Sequence, residues 1–207
     1  MKWGVVAHLA EKAKPAMAVQ LAFYRQARTS DYKLRHLTGG GTASPVAFPS
    51  SVTSAFKRRV QQIKEKELGI EVEIYDAAFV YTSGDGEYRN RYIAQFIEWL
   101  KERRGERRVV LLVDPDTGLE RESTNGPAYI KEAELRRLFT SLSVGDWLVL
   151  YQHAPRKKNW VEVDRVRVAN ALHVDVAKVD VFDCVDVAED VAFFAVRSDV
   201  DFLGPQP

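Results

Sequence analysis

The stretch VVLLVDPDTGLE, residues 109–120, constrains the fold more than any other part of the chain. Five consecutive apolar residues make a strand with apolar side chains on both faces. Such a strand belongs in the middle of a sheet covered on both sides, as parallel strands are. It ends in Asp114-Pro115-Asp116-Thr117-Gly118. Pro115 has no N–H to give to a ladder and Gly118 can adopt a positive φ, so the chain turns there. Two carboxylates are left at the carboxyl end of a central strand, the edge at which open α/β sheets bind ligands.

The remaining elements follow in order. Residues 3–9 are a short apolar run and are expected to form the first strand. Pro15 suits the first turn of a helix, and residues 16–28 carry good helix formers. Residues 29–50, with Gly39-Gly40-Gly41, Pro45 and Pro49, read as a long loop. A helix is expected from Ser50 or Ser51 to about Leu68, stopped by Gly69, then a strand over 70–81. Residues 88–104 form an amphipathic helix with Tyr92, Phe96, Trp99 and Leu100 on one side, closed by Gly105. Beyond the central strand come a helix over 130–141 and a second buried strand over 147–151 that ends in Gln152-His153-Ala154-Pro155-Arg156. A helix over 160–172 and strands over 179–185 and 191–196, joined as a hairpin, complete the chain. Alternation of strand and helix argues for a mostly parallel α/β sheet with helices on both faces. A C-terminal antiparallel hairpin added to it resembles the pattern of Rossmann-like methyltransferases, and other α/β folds with an antiparallel edge strand fit as well. With 207 residues, 46% of them hydrophobic, residues 1–207 suit one such domain.

Charge is balanced at 30 basic against 29 acidic residues, so no global field calls for nucleic acid or a membrane surface. The single cysteine, Cys184, excludes an internal disulfide and a cysteine-based zinc site, and its alternating surroundings read as a buried inert thiol. No run approaches the roughly 18 apolar residues of a membrane span, and no signal-peptide order opens the chain; a cytoplasmic protein with no membrane partner is expected.

Three constellations carry chemistry. Asp114 and Asp116, with Glu120 and Glu122 behind them, can hold Mg²⁺ or Mn²⁺ through oxygen, orient an amine, or bond the local turn. Gln152 and His153 end the next strand of the expected parallel sheet and so face the same edge, where a histidine beside a carboxylate serves as acid, base or anion contact. Arg156, Lys157 and Trp160 place basic side chains beside an aromatic, a combination for phosphate or nucleobase contact in DNA or RNA, or simply a solvated surface. His8 and Glu11, after the expected first strand, lie where a cofactor approaches. Gly39-Gly40-Gly41 matches neither a dinucleotide fingerprint nor a P-loop and reads as a flexible loop, and Lys57-Arg58-Arg59 as a helix face.

Two wordings in the second half resemble known families. Asp114-Pro115-Asp116-Thr117-Gly118-Leu119-Glu120, together with Tyr151-Gln152-His153-Ala154-Pro155-Arg156, resembles an uncharacterised bacterial and phage family with DPDNGLE-like and YQHxPR-like motifs. More distantly, Asp114-Pro115 at the end of a buried strand resembles the D-P-P-aromatic motif of Rossmann-fold adenine-amine methyltransferases. That resemblance implies S-adenosylmethionine as cofactor, Asp114 holding the target amine, and nucleic acid as substrate. Asp116 and Thr117 stand where that family has its second proline and its aromatic, and no glycine-rich loop follows the first expected strand. Asp-x-Asp after a buried strand also looks like the metal pair of toprim-type nucleases. Methyl transfer, metal-dependent phosphodiester cleavage and a non-catalytic binding module therefore stand side by side as expectations.

Overall fold

The first two elements exchange their expected forms. The computed structural model describes residues 2–13, 16–23, 62, 65–66, 69–75, 77, 86–121, 126, 128–154, 159–184 and 188–199. In it the chain begins with a helix, α1 (Lys2–Lys12), and continues into a strand, β1 (Ala16–Ala22). The expected strand over 3–9 is thus helical, and the expected helix from Ala16 is a strand. Val5, Val6, Leu9, Ala10 and Ala13 are buried, a spacing that only a helix places on one side. The apolar run Trp3–Leu9 hides this period because it stops before Ala13. In β1, Met17, Ala18, Val19, Leu21 and Ala22 are buried on both faces. The helix propensity of Ala, Met and Leu yields there to a place inside the sheet.

The remaining strands are β2 (Glu71–Ile74), β3 (Arg108–Asp114), β4 (Gly118–Leu119), β5 (Tyr129–Ile130), β6 (Trp147–His153), β7 (Val179–Cys184) and β8 (Ala188–Arg197). The other described helices are α2 (Gly86–Arg104), α3 (Glu132–Thr140) and α4 (Trp160–Leu172). Six strands form one sheet in the order β2-β1-β3-β6-β8-β7, and β4 and β5 form a two-stranded parallel pair. β2, β1, β3 and β6 run parallel, and β8 is antiparallel to both neighbours. The fold is therefore α/β with a mostly parallel sheet, as expected. The C-terminal hairpin is present, with its second strand inserted between β6 and β7, so that β7 forms the edge. Cys184 ends β7 just past an irregularity in the β7–β8 ladder; the expectation about its thiol lies outside the described side chains.

β1 is the first strand of the sheet, and its neighbours β2 and β3 lie on opposite sides of it. The strand order reverses at this point, and Ala22 of β1 pairs in register with Asp114 of β3. From β2 onward each parallel crossover moves the same way across the sheet. Right-handed crossovers then place α2, α3 and α4 on one face. Tyr92, Phe96 and Leu100 of α2, Leu135, Leu138 and Phe139 of α3, and Val168 and Leu172 of α4 pack there against Val19, Leu111, Leu150 and Phe194. α1 covers the opposite face against Ala18, Val110, Leu112, Val149 and Phe193. It runs antiparallel to β1, so its first residues reach the carboxyl edge of the sheet.

Gly69 (φ 64°) and Gly105 (φ 54°) end their segments as expected. Of the helix expected over 50–68, Gln62, Glu65 and Lys66 are helical and the Gly69 N–H donates to the Glu65 carbonyl. The strand expected over 70–81 extends only over Glu71–Ile74 among the described residues. The expected loop over 29–50, its glycine run and Lys57-Arg58-Arg59 lie outside the described residues. No helix among the described residues is long and apolar enough to cross a membrane.

At the amino edge of the sheet, Asp146 is fully buried. Its carboxylate accepts from both terminal nitrogens of Arg104 (2.6 and 3.2 Å) and from the N–H groups of Val109 and Ser143 (2.8 Å each). The contact ties α2, the start of β3 and the turn before β6 together. Asp146→Ala removes the partner of a largely buried guanidinium and is expected to cost about 3–5 kcal/mol of stability. Urea denaturation followed by circular dichroism measures it; a loss within about 0.5 kcal/mol, the range of ordinary surface changes, would contradict this role.

Candidate functional site

A strand alternates its side chains between faces, and this decides which residues meet at the carboxyl edge. Asp114 follows the parity of Val110 and Leu112, and Tyr151 and His153 follow that of Val149, so all three lie on the α1 face. Gln152 follows Leu148 and Leu150 onto the other face. The sequence placed Asp114, Gln152 and His153 on one edge, and the structure does so; it also separates Gln152 from the other two.

On the α1 face Asp114 is the centre. Lys2 Nζ donates to its Oδ1 at 2.6 Å and Gln20 Nε2 to its Oδ2 at 2.8 Å. The Asp114 side chain is 10% exposed and the Lys2 side chain 38%. The Lys2 ammonium also lies 4.1 Å from the centroid of the Tyr151 ring. Tyr151 is buried, and its ring meets that of His153 edge to face at 5.7 Å. Burial pushes the Tyr151 phenol up to about 12, with the negative charges of Asp114, Asp190 and Asp116 acting in the same direction. The phenol is therefore neutral throughout the physiological range. His153 Nδ1 lies 3.4 Å from Asp190 Oδ2, and both side chains are exposed.

On the opposite face Gln152 does structural work. It is 1% exposed. Its Oε1 accepts from the Leu119 N–H at 2.8 Å, and its Nε2 donates to the carbonyls of His153 (2.9 Å) and Thr117 (3.4 Å). The His153 N–H donates to the Thr117 carbonyl at 2.8 Å. The end of β6 thus clamps the turn that follows β3. Gln152, expected in catalysis, has its amide engaged by main chain and positions the turn. Gly118 makes the clamp possible: it has φ 129°, and a Cβ there would overlap the Gln152 amide. Beyond the clamp, Arg167 donates to the Glu120 carbonyl, and Asp164 accepts from Arg121 at 2.5 Å and Arg167 at 3.0 Å, which fixes the segment to α4.

The other expected site residues fall elsewhere. Asp116 is exposed on the turn. His8 and Glu11 do not follow a strand; they lie on the exposed side of α1, about 9 and 13 Å along the helix axis from Lys2 at 1.5 Å per residue. The His8 ring meets Phe182 edge to face at 5.7 Å. Trp160 opens α4 and packs, partly buried, against the core. Arg156 and Lys157 lie outside the described residues. For the metal expectation, both Asp114 oxygens already have donors, and among the described residues no group of three His, Cys, Asp or Glu side chains converges to hold a metal ion.

Three residues of the site escaped the sequence: Lys2, Gln20 and Tyr151. Lys2 carries no signal until α1 is known to be a helix running antiparallel to β1. Gln20 is the lone polar residue in an apolar run, which becomes a signal once that run is a central strand. Tyr151 reads as core, which it also is. No protein-family model matches the chain, and no curated protein matches it.

Gly118→Ala is expected to destabilise by about 2–4 kcal/mol, from a strained φ together with displacement of a buried amide; urea denaturation reads it, and a neutral substitution would contradict the clamp. The Tyr151 phenol is raised in the folded chain, so its contribution to stability is complete below about 10 and is lost as pH rises toward about 12. Burial raises the Tyr75 phenol as well, so ultraviolet titration near 295 nm should show late-ionising absorbance that Tyr151→Phe reduces.

Proposed function

We propose that the chain is a Rossmann-like domain of the methyltransferase type that binds a nucleotide-containing ligand at the Asp114/His153 edge and presents an amino group to Asp114. The observation that carries this is the position of Asp114. It ends β3 in register with Ala22, at the point where the strand order reverses, which is where open α/β sheets take their ligands. The insertion of β8 antiparallel between β6 and β7 supports the same type of sheet.

The residues suit an amine better than a metal. Gln20 orients the Asp114 carboxylate with one oxygen toward Lys2 Nζ, a position that an acceptor amine would take. His153, two residues beyond the core-facing part of β6, stands on the same face and can contact a phosphate or relay a proton. As the reaction class we propose methyl transfer to nitrogen, with S-adenosylmethionine supplying the methyl group and DNA or RNA supplying the amine. The fit to that cofactor is incomplete. β1 is followed by Phe23-Tyr24-Arg25-Gln26-Ala27, which contains no glycine turn, and Asp116-Thr117 lacks the aromatic of the amine methyltransferases. The proposal therefore rests on the ligand-binding edge itself.

Thermal denaturation separates the alternatives. A ligand at 100 times its Kd adds about 2.7 kcal/mol, or about 5–10 °C in Tm for a chain of this size. S-adenosylmethionine is expected to stabilise the wild type, with the gain reduced in Asp114→Asn. Stabilisation by Mn²⁺ that Asp114→Asn and Asp116→Asn abolish, with no response to S-adenosylmethionine, would overturn the reading in favour of metal-dependent cleavage. Salt-sensitive DNA or RNA binding with neither response would leave a binding module.

A further inference from the structure

The carboxylates of this molecule divide by the cation that each one meets. Glu134, Asp146 and Asp164 are the buried carboxylates among the described residues. Each is held by arginine: Glu134 by Arg89, Asp146 by Arg104, and Asp164 by Arg121 and Arg167. Glu134 takes Arg89 through both of its oxygens, at 2.6 and 2.5 Å. A planar guanidinium that forks onto a carboxylate makes a durable structural pair. Asp114 departs from this pattern. Its cation is the single ammonium of Lys2, on a side chain 38% exposed. An ammonium on a flexible stem at a solvent-facing edge gains little from such a pair, and another can exchange for it.

The surroundings of that ammonium form a recognition set. A carboxylate oxygen lies at 2.6 Å and an aromatic face at 4.1 Å from Nζ. Gln20 holds the second carboxylate oxygen, so the first stays directed at the cation. Carboxylate and ring face together are the chemistry by which proteins bind alkylammonium ions. The phenol of Tyr151 stays neutral, so the ring offers its face without a competing phenolate.

We propose that Asp114, Gln20 and Tyr151 form a binding site for a primary alkylammonium or amino group, and that Lys2 is its tethered occupant, which an incoming amine displaces. This rests on the proposed ligand edge and specifies what that edge selects: a ligand bearing a protonated or hydrogen-bonding amine. It also makes α1 part of the site, because withdrawal of Lys2 opens it.

The test uses n-butylammonium chloride, with sodium chloride at equal ionic strength as the control. In wild-type protein the Lys2 ε-protons should show an upfield ring-current shift from Tyr151, and saturating n-butylammonium should move them toward the random-coil position. In Lys2→Ala, whose site is vacated, n-butylammonium should raise Tm by about 3–6 °C at about ten times its dissociation constant. The double variant Lys2→Ala/Asp114→Asn should show no rise. A Lys2 ε-proton shift at the random-coil value in the free protein overturns the proposal whether or not the variants fold. So does a Lys2 shift that does not respond to n-butylammonium, or an equal Tm rise in the double variant. Neither titration contains a nucleotide. A response to n-butylammonium without one to S-adenosylmethionine keeps the amine site and removes methyl transfer, and the reverse pattern removes the amine site alone.

Discussion

β3 is buried on both faces, and everything else in the molecule depends on how its two polar ends are satisfied. At its start Asp146 accepts the Val109 N–H and two nitrogens of Arg104, with no exposure to solvent. At its finish Asp114 has one ammonium and one amide as partners and keeps a tenth of its side chain open. A buried carboxylate with its donors in place is a structural fixture, since removal of a partner leaves an uncompensated charge. A carboxylate with an exchangeable partner at the sheet edge is available for a ligand. The strand is therefore met at its start by a structural acid from the turn before β6 and ends in a candidate functional acid of its own.

The clamp after β3 keeps that second acid in place. Gln152 and the His153 N–H hold Thr117 and Leu119 on one face of β6, while the side chains of Tyr151 and His153 point to the other. Construction and chemistry are thus divided between the two faces of one strand. Gly118 permits the division, because only a residue without a Cβ lets the turn lie against the Gln152 amide. The arrangement leaves Asp114 and Tyr151 together at Lys2 in the first turn of α1, with His153 against the Tyr151 ring.

Where the pattern of apolar residues was long, the sequence was legible. β3, β6, α2 and α4 lie where their periodicity puts them, and the α4 bounds agree residue for residue with the helix expected over 160–172. The N-terminal exchange of helix and strand has a physical cause. Seven apolar-rich residues cannot distinguish a buried strand from one side of a helix, and Ala10 and Ala13, which continue the buried helical spacing, lie beyond that window. Asp114 and His153 were legible as a shared edge because parallel strands end together. Gln152 was legible as a position and not as a role. Its parity set it with Leu148 and Leu150, but only the fold shows that the site uses the other face. Lys2 was invisible, because its reach to Asp114 depends on the direction of a helix that the sequence reads as a strand.

The proposed function turns on one place, the carboxyl edge between β1 and β3. A crystal structure of the protein with S-adenosylhomocysteine tests it most directly. Ligand density is expected over Ala22 and Asp114, on the side of the sheet that carries Tyr151 and His153, with Lys2 moved from the carboxylate if the amino group of the ligand takes its place. Density in the groove between α2 and α3, lined by Ile97, Lys101 and Arg137, or no density at saturating ligand, would contradict it.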